Sequence, residues 1–531
     1  MSDYVIIGGG AAGCLLAERL SRHPHISVTL LEAGASDTNP LIHIPAGIIG
    51  LMRSQKLNWA LRTEPQSELN NRHLFWPRGK TLGGSSSINA MCYTRGQAED
   101  FDHWKTLGNI GWGYEDLLPH FKSTEHFYLD ENQWHGSDGE LFVEPLRHIN
   151  PLSHAFIKAG QEAGVPLNED FNGLNQYGIG PYHVMQKNGA RCSAASAFLD
   201  KAKSRTNLTI ITHAQVEQIE VQHKRAEGVL YKVHGKSHFI SATQEVLLCA
   251  GALHSPHLLM LSGIGPKEEL EKHKIKVQHD LKGVGKNLQD HLDISLIHLE
   301  NNRNSISFHP SFWLTGIKSL WQYRKRQGML TSNMAEAGAF IKTNKEDDRP
   351  DVQLHFLPAI EVDHGLNLWP TFKHYGFTLR ACLLRPKSRG YLGLYSNKVS
   401  DPPKIDAGYL TNDEDIEGMI RAFDATREIS QQLSLSQHSL REWQPGLPCQ
   451  TKEQKIAYIR SHAESIYHPV GTCRMGTDEL AVVDQSLKVR GIDKLRVIDA
   501  SIMPTLISGN TTAATLAIAS KIAEEMAAQV V

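Results

Sequence analysis

The amino-acid sequence predicts an α/β protein with two lobes. A short apolar strand, a glycine turn, an amphipathic helix and a second apolar strand follow one another over residues 4–32, which is the pattern of a Rossmann-like βαβ unit. Short runs rich in β-forming residues return at 208–249 and 494–499 and predict further strands. Residues 305–445 mix strand and helix signals, so we expect them to form a second lobe, and the length of 531 residues allows for both.

The first element, the glycine turn, predicts a site for a dinucleotide. Gly8 permits the tight turn, Gly10 lets the backbone approach a pyrophosphate, and Gly13 lets the helix pack closely on the strand. The helix N-terminus offers free N–H groups and a partial positive charge to the phosphates. Glu32 ends the second strand, where a carboxylate would accept hydrogen bonds from a ribose. An acid at this position argues against NADP, but the loop alone does not separate NAD from FAD.

A second window, residues 76–91, concentrates glycines, small hydroxyl residues and the amide of Asn89. Small residues allow a backbone to approach a flat ligand closely, and an amide supplies both donors and an acceptor. The same composition is equally typical of a flexible loop, or of a helix N-cap built from Ser85 to Ser87. Composition alone leaves these alternatives open.

The overall composition excludes several classes of protein. With 40% hydrophobic and 21% charged residues, the chain can bury a large core. A net charge of -2 does not indicate the basic surface that a nucleic-acid-binding protein needs. The seven cysteines are dispersed and form no Cys-x-x-Cys pair, which argues against a disulfide framework or a zinc site and fits a reducing compartment, so we expect a cytoplasmic protein.

The sequence shows no targeting or membrane-spanning segment. A strand begins almost directly after Asp3, so we expect no signal peptide. No stretch reaches ~18 consecutive apolar residues, so we expect no spanning helix. Peripheral contact with a membrane stays open, because a surface patch need not show in the linear sequence.

Four separated motifs stand out along the chain. They are the glycine loop with Glu32, the window from Arg78 to Asn89, the run from Gly251 to Gly265, and the C-terminal pair 468–476 and 508–511, with 284–291 as a further stretch. Together they resemble the glucose–methanol–choline (GMC) family of FAD oxidoreductases, over essentially the whole chain. Within that family, residues 57–60 and 75–91 are most similar to the bacterial aliphatic-alcohol dehydrogenases of alkane degradation, with choline dehydrogenases next.

The resemblance implies a Rossmann-like FAD-binding lobe and a substrate lobe with an antiparallel or mixed sheet covered by helices. The FAD-binding lobe would comprise residues 1–155, 195–300 and 460–531, and the substrate lobe 156–194 and 301–459. The FAD contacts that the resemblance implies are Gly8, Gly10, Ala12, Gly13, Glu32, Ala33, Gly84, Asn89, Ala90, Met91, Val216, Asp499, Ala500 and Thr511.

The predicted chemistry lies near the C-terminus. His468 stands where the family has its catalytic base, and alcohol oxidation needs a base within hydrogen-bond reach of the hydroxyl. Asn510 would hydrogen-bond the same oxygen, although it is also a plausible N-cap for a helix starting at Thr511. The N-terminus of that helix resembles the one that the family points at the flavin, where its dipole would stabilise an anionic reduced flavin.

The chain departs from the family pattern at two places. Some members attach FAD covalently through a histidine just before the asparagine of the second motif. Ile88 occupies that place here, so we expect dissociable, non-covalent FAD. After Asn510 the family usually continues Thr-Asn-Ala-Pro-Thr, whereas this chain has Thr-Thr-Ala-Ala-Thr, which leaves the start of the helix less rigidly defined.

Other conspicuous residues receive simpler interpretations. His254 and His257 are three apart, but no cysteine or acid stands at ligand spacing, so we expect no metal site. Cys473 is close to the expected active site in sequence, and we expect a buried, inert thiol.

The resemblance predicts oxidation of a primary alcohol, favouring a medium-chain aliphatic one, to the aldehyde, with hydride transfer to flavin N5 and a quinone as electron acceptor. Choline dehydrogenase and an alcohol oxidase using O2 are the alternatives. A hydroxynitrile lyase or a light-driven fatty-acid photodecarboxylase is less favoured. For a bacterial relative of this kind, the expected location is the cytoplasm, with peripheral attachment to the inner membrane left open.

Overall fold

The computed structural model describes residues 1–344 and 346–528 and contains two seven-stranded sheets. The first has a parallel centre, and the second is antiparallel throughout. Helices pack on both sheets, so the structure confirms the predicted α/β class.

The first sheet is the predicted nucleotide-binding sheet. Its first strand, Ser2–Ile7, lies parallel between Val28–Leu31 and the last part of Lys236–Leu248. The long strand Lys236–Leu248 begins in an antiparallel ribbon and ends in the parallel centre. In spatial order the strands are Leu208–Ile211, Val28–Leu31, Ser2–Ile7, Lys236–Leu248, Arg225–Val233 and Ala214–Gln222, with Leu495–Val497 also paired with Lys236–Leu248.

Five parallel strands of this sheet end at the same edge, and four of them border one cleft. In-register pairing brings Ile7 beside Leu31 and Leu248, and Leu248 beside Val497. Ligands of open α/β sheets bind outside the carboxyl ends of the strands. The residues that follow these ends therefore surround one cleft, and they are Gly8, Glu32, Cys249 and Asp499, with Ile498 preceding the last.

The last helix, Thr512–Ala528, is buried along most of its length because alanine, leucine and isoleucine occupy nearly every face. It packs against the helices Ala11–Leu20 and Tyr114–Thr124. It begins one residue after the predicted start at 511. Its packing places its N-terminus close to the glycine loop.

The second sheet is covered by helices. Its central strands, Leu292–Glu300 and Gly376–Leu383, are almost entirely buried, and the helices Pro151–Glu162 and Asp413–Gln431 pack against the sheet. In spatial order its strands are Ser439–Gln444, Leu292–Glu300, Gly376–Leu383, Val352–Leu357, Ala337–Ile341 and Gly178–Pro181, with Glu464–Ser465 also paired with Leu292–Glu300.

The predicted lobe boundaries do not follow these sheets everywhere. Leu292–Glu300 and Glu464–Ser465 belong to the second sheet, although both lie in segments expected in the FAD-binding lobe. Leu292–Glu300 begins directly after the stretch 284–291, and Glu464–Ser465 ends three residues before His468. The division into lobes stays a prediction.

Shorter elements complete the described chain. The remaining α-helices are Pro40–His43, Ile48–Met52, Ala98–Thr106, Asp200–Ala202, Gly251–Leu261, Lys267–Lys272, Trp313–Tyr323, Trp369–Lys373, Leu433–Ser436 and Lys452–His462. The remaining strands are Leu61–Arg62, Phe75–Trp76, Glu125–Phe127, Leu141–Pro145, His183–Val184, Gln186–Lys187, Ala190–Arg191, Ile264–Gly265, His279–Asp280, Tyr391–Gly393 and Lys404–Asp406.

Candidate active site

The glycine loop and the second sequence window pack directly against each other. Gly8 has a φ of 101°, and a Cβ on Gly13 would stand 2.0 Å from the carbonyl oxygen of Gly8, so both positions require glycine. Gly84 has a φ of 53°, and a Cβ there would lie 2.8 Å from the Cα of Gly10. The N–H of Gly83 donates to the carbonyl oxygen of Gly9 at 2.7 Å. The two windows, remote in sequence, therefore form one wall of the cleft.

The helix Ala11–Leu20 points its N-terminus into this cleft. Gly10 is its N-cap and supplies no side-chain hydrogen bond, and the first turn carries no acid. Its first N–H groups and its partial positive charge are thus available to an anionic ligand. Gly10, Ala11 and Ala12 line the cavity there.

Glu32 lies buried beneath the loop. Its carboxylate accepts from the N–H of Gly9 at 2.8 Å and from the N–H of Gly34 at 2.7 Å. Burial raises the pKa of Glu32 to about 7, against the lowering effect of these two N–H groups and of Lys80. The carboxylate is therefore part of the wall that the ribose of a dinucleotide would meet.

Most of the predicted FAD contacts line one cavity. Those that line it are Gly8, Gly10, Ala12, Glu32, Ala33, Gly84, Val216, Asp499, Ala500 and Thr511. Gly13 faces the first strand instead, in the packing role expected of it. Asn89, Ala90 and Met91 line a second cavity that also contains His468 and Asn510. Arg78, Ser85, Thr511 and Thr512 line both cavities, which therefore meet at these residues.

Asp499 contributes to the first cavity through the helix Gly251–Leu261. Its carboxylate accepts from the N–H of Gly251 at 2.9 Å and from the hydroxyl of Ser255 at 2.6 Å. It also accepts from the N–H of Ser501 at 2.8 Å. Asp499 thus joins the end of the strand Leu495–Val497 to the start of this helix, and Gly251 and Asp499 both line the cavity.

His468 and Asn510 lie side by side in the second cavity. The amide Nδ2 of Asn510 donates to Nε2 of His468 at 3.1 Å. The Oδ1 of Asn510 accepts from the hydroxyl of Thr94 at 3.1 Å and from Nε2 of Gln353 at 3.3 Å. These two donors orient the amide, so its hydrogen bonds serve the site and not the start of the last helix.

A second histidine, His291, orients His468. The segment 289–291 pairs antiparallel with 466–470, and this pairing brings Nδ1 of His291 to 2.9 Å from Nδ1 of His468. Nε2 of His291 lies 2.9 Å from the carbonyl oxygen of Leu384, which can only accept. Nε2 of His291 therefore carries a proton, and in neutral His291 the Nδ1 atom is an acceptor.

This chain of hydrogen bonds determines which nitrogen of His468 is basic. Nδ1 of His468 must donate to His291, so the lone pair of neutral His468 lies on Nε2, beside Asn510. Burial lowers the pKa of His291 to about 4 and holds the pKa of His468 well below its usual range, with His291, His355 and Arg78 lowering it further. Both rings are neutral at pH 7, as this assignment requires.

Asp290 holds the backbone at His468. Its carboxylate accepts from the N–H of His468 at 2.6 Å and from the hydroxyls of Ser465 and Tyr409. Tyr467, which directly precedes His468, has a φ of 70°, a conformation in which a bulky residue is strained. The carboxylate thus holds a strained turn that aims His468 into the cavity.

Sequence reasoning did not assign a site role to Asp290, His291, Thr94 or Gln353. Asp290 and His291 end the family stretch 284–291, so their position in that motif was the available signal. Thr94 and Gln353 lie in runs with no such signal, and only the fold brings them to Asn510.

The second cavity is mainly apolar. Arg380, one of its charged residues, is paired with Asp293 at 2.6 Å and with Glu361 at 2.7 Å. Glu361 is the acid among its described lining residues. The apolar residues lining it include Ile48, Ile49, Met52, Ile88, Met91, Ile306, Phe308, Met334, Leu357, Ala359, Ile360, Leu368 and Ile466.

The other conspicuous residues have structural surroundings. His254 lies against Trp59, with ring centroids 4.6 Å apart, and 6.5 Å from the ring of His257. Within 1–344 and 346–528, no group of three or more His, Cys, Asp or Glu side chains could hold a metal ion. All seven cysteines are buried and unpaired, and burial raises the pKa of the Cys473 thiol well above its usual range.

Within residues 1–344 and 346–528, no helix combines the length and apolar character needed to cross a bilayer.

Comparison with known proteins identifies the family. The N-terminal and C-terminal models of the GMC oxidoreductase family match residues 2–293 and 386–519. This chain belongs to the GMC oxidoreductase family. It is therefore a flavoprotein oxidoreductase that acts on alcohols, which confirms the resemblance in the sequence motifs.

The similarity to known proteins extends over nearly the whole chain. The sequence is 50% identical over 528 residues to an alcohol dehydrogenase (acceptor) of Pseudomonas putida, covering 99% of this chain and 95% of the relative. It is 42% identical to an oxygen-dependent choline dehydrogenase of Pectobacterium carotovorum, covering 99% and 94%. The crystal structure of pyridoxine 4-oxidase from Mesorbium loti superposes with a TM-score of 0.90 at 33% identity and covers 99% of each chain.

Proposed function

We propose that this protein oxidises a primary, medium-chain aliphatic alcohol to the aldehyde. The observation that carries the proposal is the His468–Asn510 pair, which lies in an apolar cavity where that cavity meets the dinucleotide cleft. The alcohol carbon loses a hydride and its hydroxyl loses a proton. His468 receives the proton.

FAD is the cofactor that the family and FAD-dependent structures of the same fold support. The cleft fits it, because the glycine loop, the open helix N-terminus and Glu32 occur in one wall. When bound, FAD supplies a hydride acceptor at N5 of its flavin ring. Thr511 and Thr512 stand where the two cavities meet and would contact the flavin end.

The acid–base chemistry falls to His468 and Asn510. The lone pair on Nε2 of His468 accepts the hydroxyl proton, and such a base accelerates reactions by about 10²–10⁴-fold. Nδ2 of Asn510 donates to the same oxygen as negative charge develops on it. Substrate oxygen would take the place between these two groups, which now hydrogen-bond to each other at 3.1 Å.

The lining favours an aliphatic chain over choline. A trimethylammonium group is recognised by aromatic faces and by a nearby acid. Glu361, the acid among the described residues of this cavity, is already paired with Arg380. The other side chains that line the cavity are mostly aliphatic. Choline oxidation is the alternative, supported by relatives 42% identical to this chain.

We further propose that FAD is bound without a covalent bond. The side chain at the relevant position of the second motif is Ile88, which is buried against Ile42, Leu51 and Leu57 and offers no nucleophilic atom. Acid precipitation of the holoenzyme should release all of its FAD into the supernatant. Yellow colour retained in the washed precipitate would contradict this.

The proposed electron acceptor is a quinone, as in the alkanol dehydrogenases that the motifs resemble. O2 is the alternative, since oxidases share the fold. Anaerobic quinone reduction by purified enzyme, compared with peroxide formation in air, separates the two. We propose a cytoplasmic location, which the seven buried, unpaired cysteines support.

Stopped-flow reduction of the flavin by a series of alcohols tests the whole proposal. We expect bleaching in the dark, with the reduction rate constant divided by the apparent dissociation constant rising from ethanol to octanol and low for choline. Bleaching by choline alone would favour the alternative substrate. Absence of dark bleaching by every alcohol would refute alcohol oxidation and favour a non-redox or light-driven relative.

A further inference from the structure

Large apolar side chains are exposed beside the substrate cavity. We define the apolar rim as six residues from two segments of the chain. Four of them are more than half exposed to solvent: Ile317 at 66%, Leu320 at 64%, Trp321 at 60% and Trp369 at 65%. The other two, Phe308 and Phe372, are 38% and 44% exposed. An exposed cluster of this kind usually marks a binding surface.

The rim is continuous with the lining of the cavity. The ring of Phe308 lines the cavity and stacks on Phe372, with centroids 5.6 Å apart. The N–H of Phe308 donates to the carbonyl oxygen of Thr371, and Thr371 and Leu368 also line the cavity. The two segments of the rim are thus joined at the place where the cavity reaches the surface.

The helix Trp313–Tyr323 carries half of the rim. Ile317, Leu320 and Trp321 are spaced i, i+3 and i+4, so they share one face of the helix. The hydroxyl of Tyr323 donates to the carbonyl oxygen of His43 at 3.3 Å, which ties the end of the helix to the segment before Ile48 and Ile49 of the cavity lining. The apolar face therefore stays exposed while the helix itself is anchored.

Basic residues surround this apolar face. Residues 301–335 contain no acid, in a protein whose net charge is -2. The ammonium groups of Lys325 and Lys373 lie 4.8 and 4.9 Å from the rings of Trp321 and Trp369. One exposed acid, Asp363, lies in the second segment. The exposed basic residues beside the rim are Lys318, Arg324, Lys325, Arg326 and Lys373.

We propose that the apolar rim and its basic residues dock this protein on an anionic lipid bilayer, with the mouth of the substrate cavity against the membrane. Tryptophan side chains favour the membrane–water interface, and each nearby Lys or Arg adds about 1 kcal/mol of attraction to anionic lipid. A second copy of this chain fits less well, because a two-fold contact through the rim would bring the same basic groups together.

The advantage of docking at this surface rests on the proposed function. An aliphatic alcohol and a lipid-soluble quinone are both concentrated in the bilayer. A cavity that opens at the membrane could receive the alcohol without its passage through water. Membrane binding itself depends only on the surface and can be tested apart from catalysis.

The test is cosedimentation of the FAD-loaded enzyme with vesicles of phosphatidylcholine, with and without phosphatidylglycerol. We expect binding to the anionic vesicles that weakens as salt is raised. The triple variant Ile317→Ser, Leu320→Ser, Trp321→Ser should bind at least about tenfold more weakly, because it loses the apolar face. The double variant Lys325→Glu, Arg326→Glu should lose the preference for anionic lipid.

A matched control removes exposed apolar side chains from other segments: Ile110→Ser, Leu174→Ser and Phe239→Ser, at residues 70%, 84% and 52% exposed. It should bind like the wild type. The rim variant should keep its flavin spectrum, its melting temperature and its reduction by a soluble short-chain alcohol, so failure of the proposed function and failure of docking are distinguishable. The proposal is overturned if the wild type ignores both vesicles, if the control loses binding equally, or if sedimentation shows a dimer that only the rim variant loses.

Discussion

Replacing His291 tests whether the tautomer of His468 is imposed by its neighbour. In His291→Leu, the N–H at Nδ1 of His468 loses the acceptor that now lies 2.9 Å away, inside a buried site. An unsatisfied buried donor costs about 1–3 kcal/mol. The other tautomer, with the proton on Nε2, escapes this cost at Nδ1. It directs an N–H at the amide Nδ2 of Asn510, however, and its Nε2 cannot accept a proton from substrate.

The expected loss of rate follows from that cost. Since 1.4 kcal/mol corresponds to a factor of ten, 1–3 kcal/mol lowers the fraction of the reactive tautomer by at most roughly 5–150-fold. In His291→Asn, Oδ1 can accept from Nδ1 of His468, so the rate of flavin reduction should recover to within a few-fold of wild type. Stopped-flow reduction by a saturating alcohol measures both variants.

Two further measurements separate tautomer control from packing. Both variants should bind FAD and show similar melting temperatures. If His291→Leu reduces its flavin at the wild-type rate, the tautomer argument fails. If His291→Asn is as slow as His291→Leu, the effect is one of packing.

Three more predictions concern the base, its pH dependence and the cofactor cleft. His468→Ala and Asn510→Ala should keep bound flavin but lose about 10²–10⁴-fold and 10²–10³-fold of the alcohol-driven reduction rate in stopped flow, and unchanged rates would remove both assigned roles. Because the pKa of His468 is lowered, its neutral form persists as pH falls, so the rate of flavin reduction should stay level down through pH 6.5, and an acid limb centred at about 6.5 or above would contradict this. The pKa of Glu32 is raised to about 7, so its carboxylate is ionised only above that pH. Titration of flavin-free protein should therefore show FAD binding that tightens as pH rises through about 7, and Glu32→Gln should weaken binding and abolish this pH dependence.

Short-range patterns in the chain were sufficient for the nucleotide-binding unit. The helix packs so closely on the glycine turn that a side chain at position 13 would collide with the carbonyl oxygen of Gly8, so glycine is required there. The acid at the end of the next strand lies at the same edge of the sheet. His468 and Asn510 could be identified because each lies in a family motif, and the structure places them 3.1 Å apart. Their catalytic roles stay predictions.

Long-range pairing decided what the motifs could not show. His291 meets His468 only because 289–291 pairs with 466–470, and Asn510 is oriented by Thr94 and Gln353, which lie far from it in sequence. The strand Leu292–Glu300 belongs to the second sheet, although the sequence predicted it in the FAD-binding lobe. The strands with which a buried strand pairs depend on the tertiary arrangement and not on its own residues alone.

The sequence by itself determined the fold class, the family and the types of side chain that carry the chemistry, because these depend on local backbone geometry and on motif order. Only the tertiary structure decided which nitrogen of His468 is basic, which apolar residues line the cavity, and which stay exposed around its mouth. Those properties depend on contacts between segments far apart in the sequence, and no local pattern specifies such contacts.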